Sequence, residues 1–300
     1  MNKVLVIGGP TASGKSKLAL DAAQSFNGVI INADSQQVYK HIPILTACPS
    51  IKDKQKVSHR LYEIYEPSEA SSVVDWLKLA VKEIHAVWQE KKLPIVVGGT
   101  GLYIDNLING TTPIPETPQE IRTKVSAQME EIGVNEMHRL LEKIDSVTAQ
   151  RLNPNDTTRV RRAFEVYEST GKKLSDWHNL PMIKKLPKAD FEVWKIIPPQ
   201  AELDIRCYLR FDKMILSGAL DEAKYIKKLH LSADLPAMRA LGLPELLDYL
   251  DDKCNLNEAV EMAKLHSRQY AKRQRTWFGN KLKAQKVLES CYNGDINDWQ

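Results

Sequence analysis

Three hundred residues leave room for two domains, or for one domain carrying an insertion. Hydrophobic residues make up 43% and the formal net charge is only +4, so the chain is globular, and any nucleic-acid surface must come from local clustering. Cys48, Cys207, Cys254 and Cys291 lie far apart, the histidines form no H-x-x-x-H pair, and no apolar run approaches the roughly 18 residues of a membrane span. That pattern excludes a disulfide framework and a histidine metal site, predicts neither signal peptide nor membrane segment, and suits a reducing cytoplasm.

The first strand, Val4-Leu5-Val6-Ile7, runs into Gly9-Pro10-Thr11-Ala12-Ser13-Gly14-Lys15-Ser16 and then a helix-compatible stretch to Phe26. Strand, G-x-x-x-x-G-K-[ST] and helix together form a phosphate-binding loop. Its amides and the helix N-terminus favour an anion, Lys15 adds a charge, and Ser16 can ligate Mg²⁺. Val29-Ile30-Ile31 reads as a second strand ending at Asp34. A helix follows over 72–90, with Val73, Leu77, Ala80, Val81, Ile84, Val87 and Trp88 on one face. Pro94-Ile95-Val96-Val97 is a further strand, closing on Gly98-Gly99-Thr100-Gly101. This alternation predicts an α/β fold, a parallel sheet covered by helices, with ligands at the carboxyl ends of its strands.

Thr111 to Pro118 has the composition of a linker, and 118–171 reads as helical, with Asp156 or Thr157 as a cap and Gly171 as a stop. Phe191 to Ile197 reads as a strand returning to the sheet. The predicted organisation is a P-loop core over 1–112 and 189–300, with an all-helical insertion over 113–188. After Pro199 come a helix carrying Arg206 and Arg210 one turn apart, a loop or short helix around Met238 to Gly242, and a long helix over 257–278.

Asp34 follows its strand at the edge where the glycine loop lies. It is placed to serve as a base or Mg²⁺ ligand, or equally as an Asx turn. The strand at 94–97 ends without the acid that ATPases and GTPases use to hold Mg²⁺, which counts against NTP hydrolysis. Thr100 is either a polar contact to phosphate or substrate, or a helix cap. Arg206 and Arg210 can clamp phosphates or line a solvated face. Lys264, Arg268, Lys272 and Arg275 fall at helical spacing beside Tyr270, Arg273 and Trp277. Arg159, Arg161 and Arg162 form a second cluster. Both are charged faces of the kind that attracts RNA, or are simply solvated.

The ordered set of segments resembles the bacterial tRNA dimethylallyltransferases, also called tRNA isopentenyltransferases, from about residue 3 to about 280. It comprises the glycine loop, Asp34-Ser35-Gln36-Gln37-Val38-Tyr39-Lys40, Val97-Gly98-Gly99-Thr100-Gly101-Leu102-Tyr103, Asn155 to Arg162, and Lys272-Arg273-Gln274-Arg275-Thr276-Trp277-Phe278. The resemblance implies transfer of the dimethylallyl group from its diphosphate to the exocyclic amine of the adenine just 3′ of the anticodon. It makes Asp34 the base, with Thr100 beside it. Gly9, Pro10, Thr11, Ala12, Ser13, Gly14, Lys15 and Ser16 become the nucleotide-type cradle holding the diphosphate, with Mg²⁺ at Ser16; Arg206 is added as a further cation there. The expected contacts to the tRNA anticodon stem-loop are Asp34, Ser35, Gln36, Gln37, Thr100, Arg122, Thr158, Arg159, Val160, Arg161, Arg162, Arg239, Lys272, Arg273, Gln274, Arg275 and Trp277. The expected enzyme is a cytoplasmic monomer. Leu45-Thr46-Ala47-Cys48-Pro49 departs from the family's Gly-Thr-Ala-Lys-Pro run, and Leu243-Pro244 stands where many members have an aromatic and a basic residue. Two other readings are a kinase or prenyltransferase acting on a free nucleotide, and a nucleotide-switched RNA-binding module.

Overall fold

In the computed structural model, which describes residues 2–294 and Ile296, six strands form one parallel sheet in the order β3-β2-β4-β1-β5-β6. They are β1 (Lys3–Gly8), β2 (Gly28–Asn32), β3 (His59–Arg60), β4 (Leu93–Gly98), β5 (Asp190–Ile196) and β6 (Lys286–Leu288). Positions 295 and 297–300, the end of the expected 189–300 segment, lie outside the described residues.

The apolar runs of β1, β2 and β4 are buried on both faces, as a covered parallel sheet requires. Leu5, Ile7, Ile30, Ile95 and Val97 face α1 (Lys15–Ser25), which packs Leu18, Ala19, Ala22 and Ala23 against them. Val4, Val6, Val29, Ile31 and Val96 form the core on the other side. Beside α1, α2 (Ile51–Lys56) leads into Val57 of the first core, while α3 (Val73–Gln89) and α4 (Gly101–Asn109) contribute to the second. The Ser72 side chain caps α3 by accepting from the Asp75 amide. Trp76 of α3 was not among the expected core residues. It is buried, donates Nε1–H to the Asn32 carbonyl at 2.8 Å and stacks on Tyr103.

β1 sits centrally, hydrogen-bonded to β4 on one side and β5 on the other. The sheet order reverses beside it, and the crevice this leaves at its carboxyl end holds the glycine loop.

The chain divides into two compact units, Met1–Ile108 with Lys185–Gln300, and Asn109–Lys184. The second contains α5 (Gln119–Ile132), α6 (Val134–Ile144), α7 (Ser146–Arg151), α8 (Thr157–Thr170) and α9 (Leu174–His178) around Val125, Met137, Leu141, Val160 and Phe164. Asp156 caps α8 through the Arg159 amide, and Gly171 ends it at φ 68°. Asp145 caps α7 through the Thr148 amide and also accepts from the Ser175 amide at 2.9 Å, tying α7 to α9. Thr111 and Ile183 exchange two backbone hydrogen bonds, so the entering and leaving chains are paired at the base of this unit.

The first unit continues with α10 (Gln200–Leu216), α11 (Ala219–Lys228), a 3-10 turn over Pro236–Arg239, α12 (Leu243–Leu250) and α13 (Leu256–Lys281). An Asn255–Glu258 capping box starts α13, and Ala259, Ala263, Ser267, Ala271, Gln274 and Phe278 form its buried stripe. Among the described residues no helix is long and apolar enough to cross a membrane, and the four cysteines are unbridged.

Candidate active site

The glycine loop leaves β1 through a close approach that only glycine permits: a Cβ on Gly8 would come within 2.6 Å of the Phe278 ring. Ala12 at φ 64° and Gly14 at φ 91° turn the backbone into the left-handed region, and α1 starts at Lys15. Around this bend the Ser13 hydroxyl is buried and has no hydrogen-bond partner among the described residues. A buried, unsatisfied hydroxyl in a phosphate-type loop is a polar group waiting for an anion's oxygen.

Lys15 is half-buried, with Nζ 3.3 Å from the Pro10 carbonyl. Burial pushes its ammonium down to about 8; the Asp34 charge works against that shift and Arg210 adds to it. Arg210 is held down by burial as well and lies within electrostatic reach of Asp34. Arg210 thus carries its charge within reach of both Lys15 and Asp34, and lines a cavity with Cys48 and Glu63. The expected cation, Arg206, is instead engaged by the Asn293 side chain and by Glu202 at 3.6 Å.

Asp34 does form the Asx turn that its position allows. Its Oδ1 accepts from the Gln36 amide at 3.0 Å, and its own amide donates to Asn32 Oδ1 at 2.8 Å. Oδ2 points toward Gly99, where an added Cβ would lie 3.3 Å away. Thr100 braces this loop: Oγ1 accepts from the Ser35 amide at 2.9 Å and donates to Ser35 Oγ at 3.2 Å. Gln37 Nε2 donates to the Thr46 and Ala47 carbonyls, so the departing Leu45 to Pro49 run is fastened to the Asp34 loop. Ala47, Cys48 and Pro49 separate two cavities. One, of about 390 Å³, is lined by Ser16, Asp21, Tyr62 and Val97; the other, of about 570 Å³, reaches Arg210 and Glu63. A larger cavity of about 950 Å³ lies among Lys3, Trp88 and Trp194, where β1 begins and away from the glycine loop.

Among the described residues no three His, Cys, Asp or Glu side chains come together as a metal cage. The donor set instead fits a Mg²⁺ held by one protein hydroxyl, that of the exposed Ser16, together with phosphate oxygens.

The expected RNA-facing residues sort by burial. Arg122, Thr158, Arg159, Lys272 and Arg273 are exposed, and Arg239 is largely so. Arg159 pairs with Asp156 at 2.7 Å, Arg161 with Glu165 at 3.8 Å, and Arg162 donates to Thr117 Oγ1 at 2.8 Å. Two side chains are corrected from surface to interior. Val160 is wholly buried in the helical core, because it lies on the face of α8 that carries Ala163 and Phe164. Gln274 is 6% exposed, its amide spanning from the Thr11 amide to the Gly99 carbonyl. Arg275 donates Nε–H to the Pro198 carbonyl at 2.7 Å, and Lys264 pairs with Asp212 at 2.7 Å, so the expected basic stripe is partly internal. Trp277 covers Gly101, whose missing side chain makes room for the indole.

Tyr270, expected only as an aromatic beside the basic stripe, and a segment that the pattern did not single out complete the site. Tyr270 lies one turn before Gln274, its phenol pushed up by burial and then by Asp34. A segment after β6 closes the outer side of the loop: the Tyr292 amide donates to the Ser13 carbonyl at 2.9 Å, and its hydroxyl to Asp21 at 2.7 Å. Nothing in the composition of that segment marks it.

The IPP transferase family model matches residues 37–281. A tRNA dimethylallyltransferase of Rhodospirillum centenum is 43% identical over 94% of this chain and 90% of its own length. One of Zymomonas mobilis subsp. mobilis is 44% identical over 92% and 87%. A crystal structure of a full-length tRNA isopentenylpyrophosphate transferase from Bacillus halodurans superposes with a TM-score of 0.69 at 33% identity, covering 100% of this chain and 93% of that one. A eukaryotic dimethylallyltransferase acting on tRNA superposes at 0.80 with 31% identity, covering 93% and 70%.

Proposed function

The chain belongs to the IPP transferase family, and from that premise we propose that it moves the dimethylallyl group of dimethylallyl diphosphate onto the exocyclic amine of the adenine 3′ to the anticodon in tRNA. The observation that carries this reading is the pairing of a phosphate loop with a carboxylate rather than with an acidic strand end. Asp34 Oδ2 faces the turn after β4, that turn is Gly98-Gly99-Thr100, and Lys15 lies within electrostatic reach of Asp34. A hydrolase would want a Mg²⁺-holding acid where the glycines stand. An alkyl transfer needs a held leaving group and a base near the nucleophile.

The amides at the start of α1, with Lys15 and Arg210, would hold the diphosphate and take up the charge it gains on leaving. Mg²⁺ at Ser16, when bound, supplies further positive charge there. The adenine amine forms its bond to the allylic carbon while the carbon–oxygen bond breaks and its electron pair leaves with the diphosphate. The amine proton passes to Asp34 Oδ2, the oxygen that the Gln36 amide does not occupy. Such a base contributes ~10²–10⁴-fold. The exposed Lys272, Arg273, Arg159 and Arg122 supply cations for the RNA backbone, and the target base must leave its stack to reach Asp34.

The test is to incubate the protein with Mg²⁺, dimethylallyl diphosphate and unmodified tRNA and to weigh the digested nucleosides. An adenosine heavier by one dimethylallyl group, next to the anticodon, is the expected result. Modification of free AMP with indifference to tRNA would replace the reading by a free-nucleotide prenyltransferase.

A further inference from the structure

Gln274 occupies the buried stripe of α13 between the exposed Lys272 and Arg273 and the partly buried Arg275. Its side-chain Oε1 accepts from the Thr11 amide at 2.7 Å, and its Nε2–H donates to the Gly99 carbonyl at 2.7 Å. One amide thus uses both its ends to join the entry of the glycine loop to the turn after β4. The match is chemical as well as geometric: Thr11 offers only a donor, Gly99 offers only an acceptor, and a neutral side-chain amide satisfies both without burying a charge. Gly99 makes the contact possible. A Cβ at that position would overlap Nε2, and Asp34 Oδ2 would stand 3.3 Å from the same point. The Gln274 amide and the Asp34 carboxylate are therefore neighbours around one bare Cα.

Because Oε1 occupies the Thr11 amide, that donor does not serve a phosphate. The anion is left to the amides at the start of α1 and to the unsatisfied Ser13 hydroxyl. Releasing Thr11 would free the loop to turn a different set of amides inward. It would also unhook the turn that carries Thr100, whose hydroxyl braces Ser35 beside Asp34.

We propose that Gln274 is a positioning residue for the diphosphate: it fixes the glycine loop against the Gly99–Thr100 turn, sets the separation of the phosphate cradle from Asp34, and makes no RNA contact through its side chain. This rests on the reading that the loop holds a prenyl diphosphate, and it reassigns to the interior a residue from a stretch otherwise rich in RNA-facing cations.

The experiment compares the full-length parent with Gln274→Met, which keeps length and loses both hydrogen bonds, and Gln274→Glu, which keeps the acceptor. Five quantities are read: affinity for inorganic pyrophosphate with Mg²⁺, affinity for an anticodon stem-loop RNA, KM and kcat for dimethylallyl diphosphate with saturating tRNA, and the melting temperature. Gln274→Met is expected to weaken pyrophosphate binding and raise KM by about tenfold or more, the worth of two ordinary hydrogen bonds. RNA affinity is expected to stay within about twofold, a difference well under 1 kcal/mol. Gln274→Glu is expected to be at least as damaging while ionised, because it buries a charge facing the Gly99 carbonyl and Asp34, and to recover toward the parent as the pH falls and the carboxylic acid regains a proton to donate to Gly99. A melting temperature lowered without loss of pyrophosphate affinity, or a larger loss for RNA than for pyrophosphate, would overturn the proposal; so would a Gln274→Glu variant that tracks Gln274→Met at every pH. If Gln274→Met does not fold, the pH course of Gln274→Glu decides alone. A parent that binds pyrophosphate yet never modifies tRNA would sink the transferase reading, while the Gln274 assignment would still be judged on pyrophosphate.

Discussion

Thr100 and Ser35 are joined twice, through the Ser35 amide to Thr100 Oγ1 at 2.9 Å and through the Thr100 hydroxyl to Ser35 Oγ at 3.2 Å. The threonine thus holds the residue next to Asp34. Thr100→Val, which keeps the shape and loses both bonds, should lower kcat by about tenfold, the scale of one to two hydrogen bonds. Thr100→Ser should restore most of it. Steady-state kinetics on tRNA check this; a valine variant with full kcat would leave the brace without consequence for turnover.

Asp34 both shapes its loop and, on the proposed reading, accepts the proton. Asparagine separates these duties, because its side-chain oxygen can still accept from the Gln36 amide while it is no base. Asp34→Asn should lose ~10²–10⁴-fold in turnover, with melting temperature and RNA affinity close to the parent. Equal losses in turnover and folding stability would make the residue structural.

Lys15 gives a pH dependence. Its ammonium, lowered to about 8 by burial, carries its charge below that value and loses it above. Pyrophosphate affinity should therefore be highest on the acidic side and decline as pH rises through about 8. Lys15→Arg keeps the charge throughout, and its profile should lose that decline. Calorimetric titration of the two proteins at matched ionic strength makes the comparison.

The basic residues of α13 divide into two classes with different signatures. Lys272 and Arg273 are exposed, so removing either should reduce the slope of log affinity for RNA against log salt by about 0.7–0.9. Arg275 is tied to Pro198, so Arg275→Ala should leave that slope unchanged and instead cost about 1.5–3 kcal/mol in stability, the worth of a hydrogen bond from a charged donor. Anisotropy titrations over a salt series, with denaturant melts alongside, distinguish the two.

The glycine loop, the strands at 28–32 and 93–98, the capped helix α8 and the α/β class were all legible, because each is written in local spacing. What the spacing could not show is where a polar side chain goes when its helix packs across the sheet. Gln274 sits in a run of charged neighbours that reads as solvent-facing. Only the position of α13 over Gly8 and Gly101, covered by Phe278 and Trp277, reveals that every third or fourth residue there is interior. The different surroundings of Arg206 and Arg210 were hidden for the same reason. The two share a helix face in sequence, and a distant segment around Asn293 claims one of them. The two-residue β3 and three-residue β6 are too short to carry periodicity, and they pair only because the longer strands beside them offer a free edge.

The loop that starts at Gly9 is completed from far along the chain: Thr11 meets Gln274 across 263 positions, and Ser13 meets Tyr292 further still. During synthesis this loop leaves the ribosome 263 residues before Gln274 does. Contacts of such separation are slow to form, so the anion site takes shape only after the intervening chain has been made. Truncated or stalled chains would carry the phosphate motif without the means to hold it in shape.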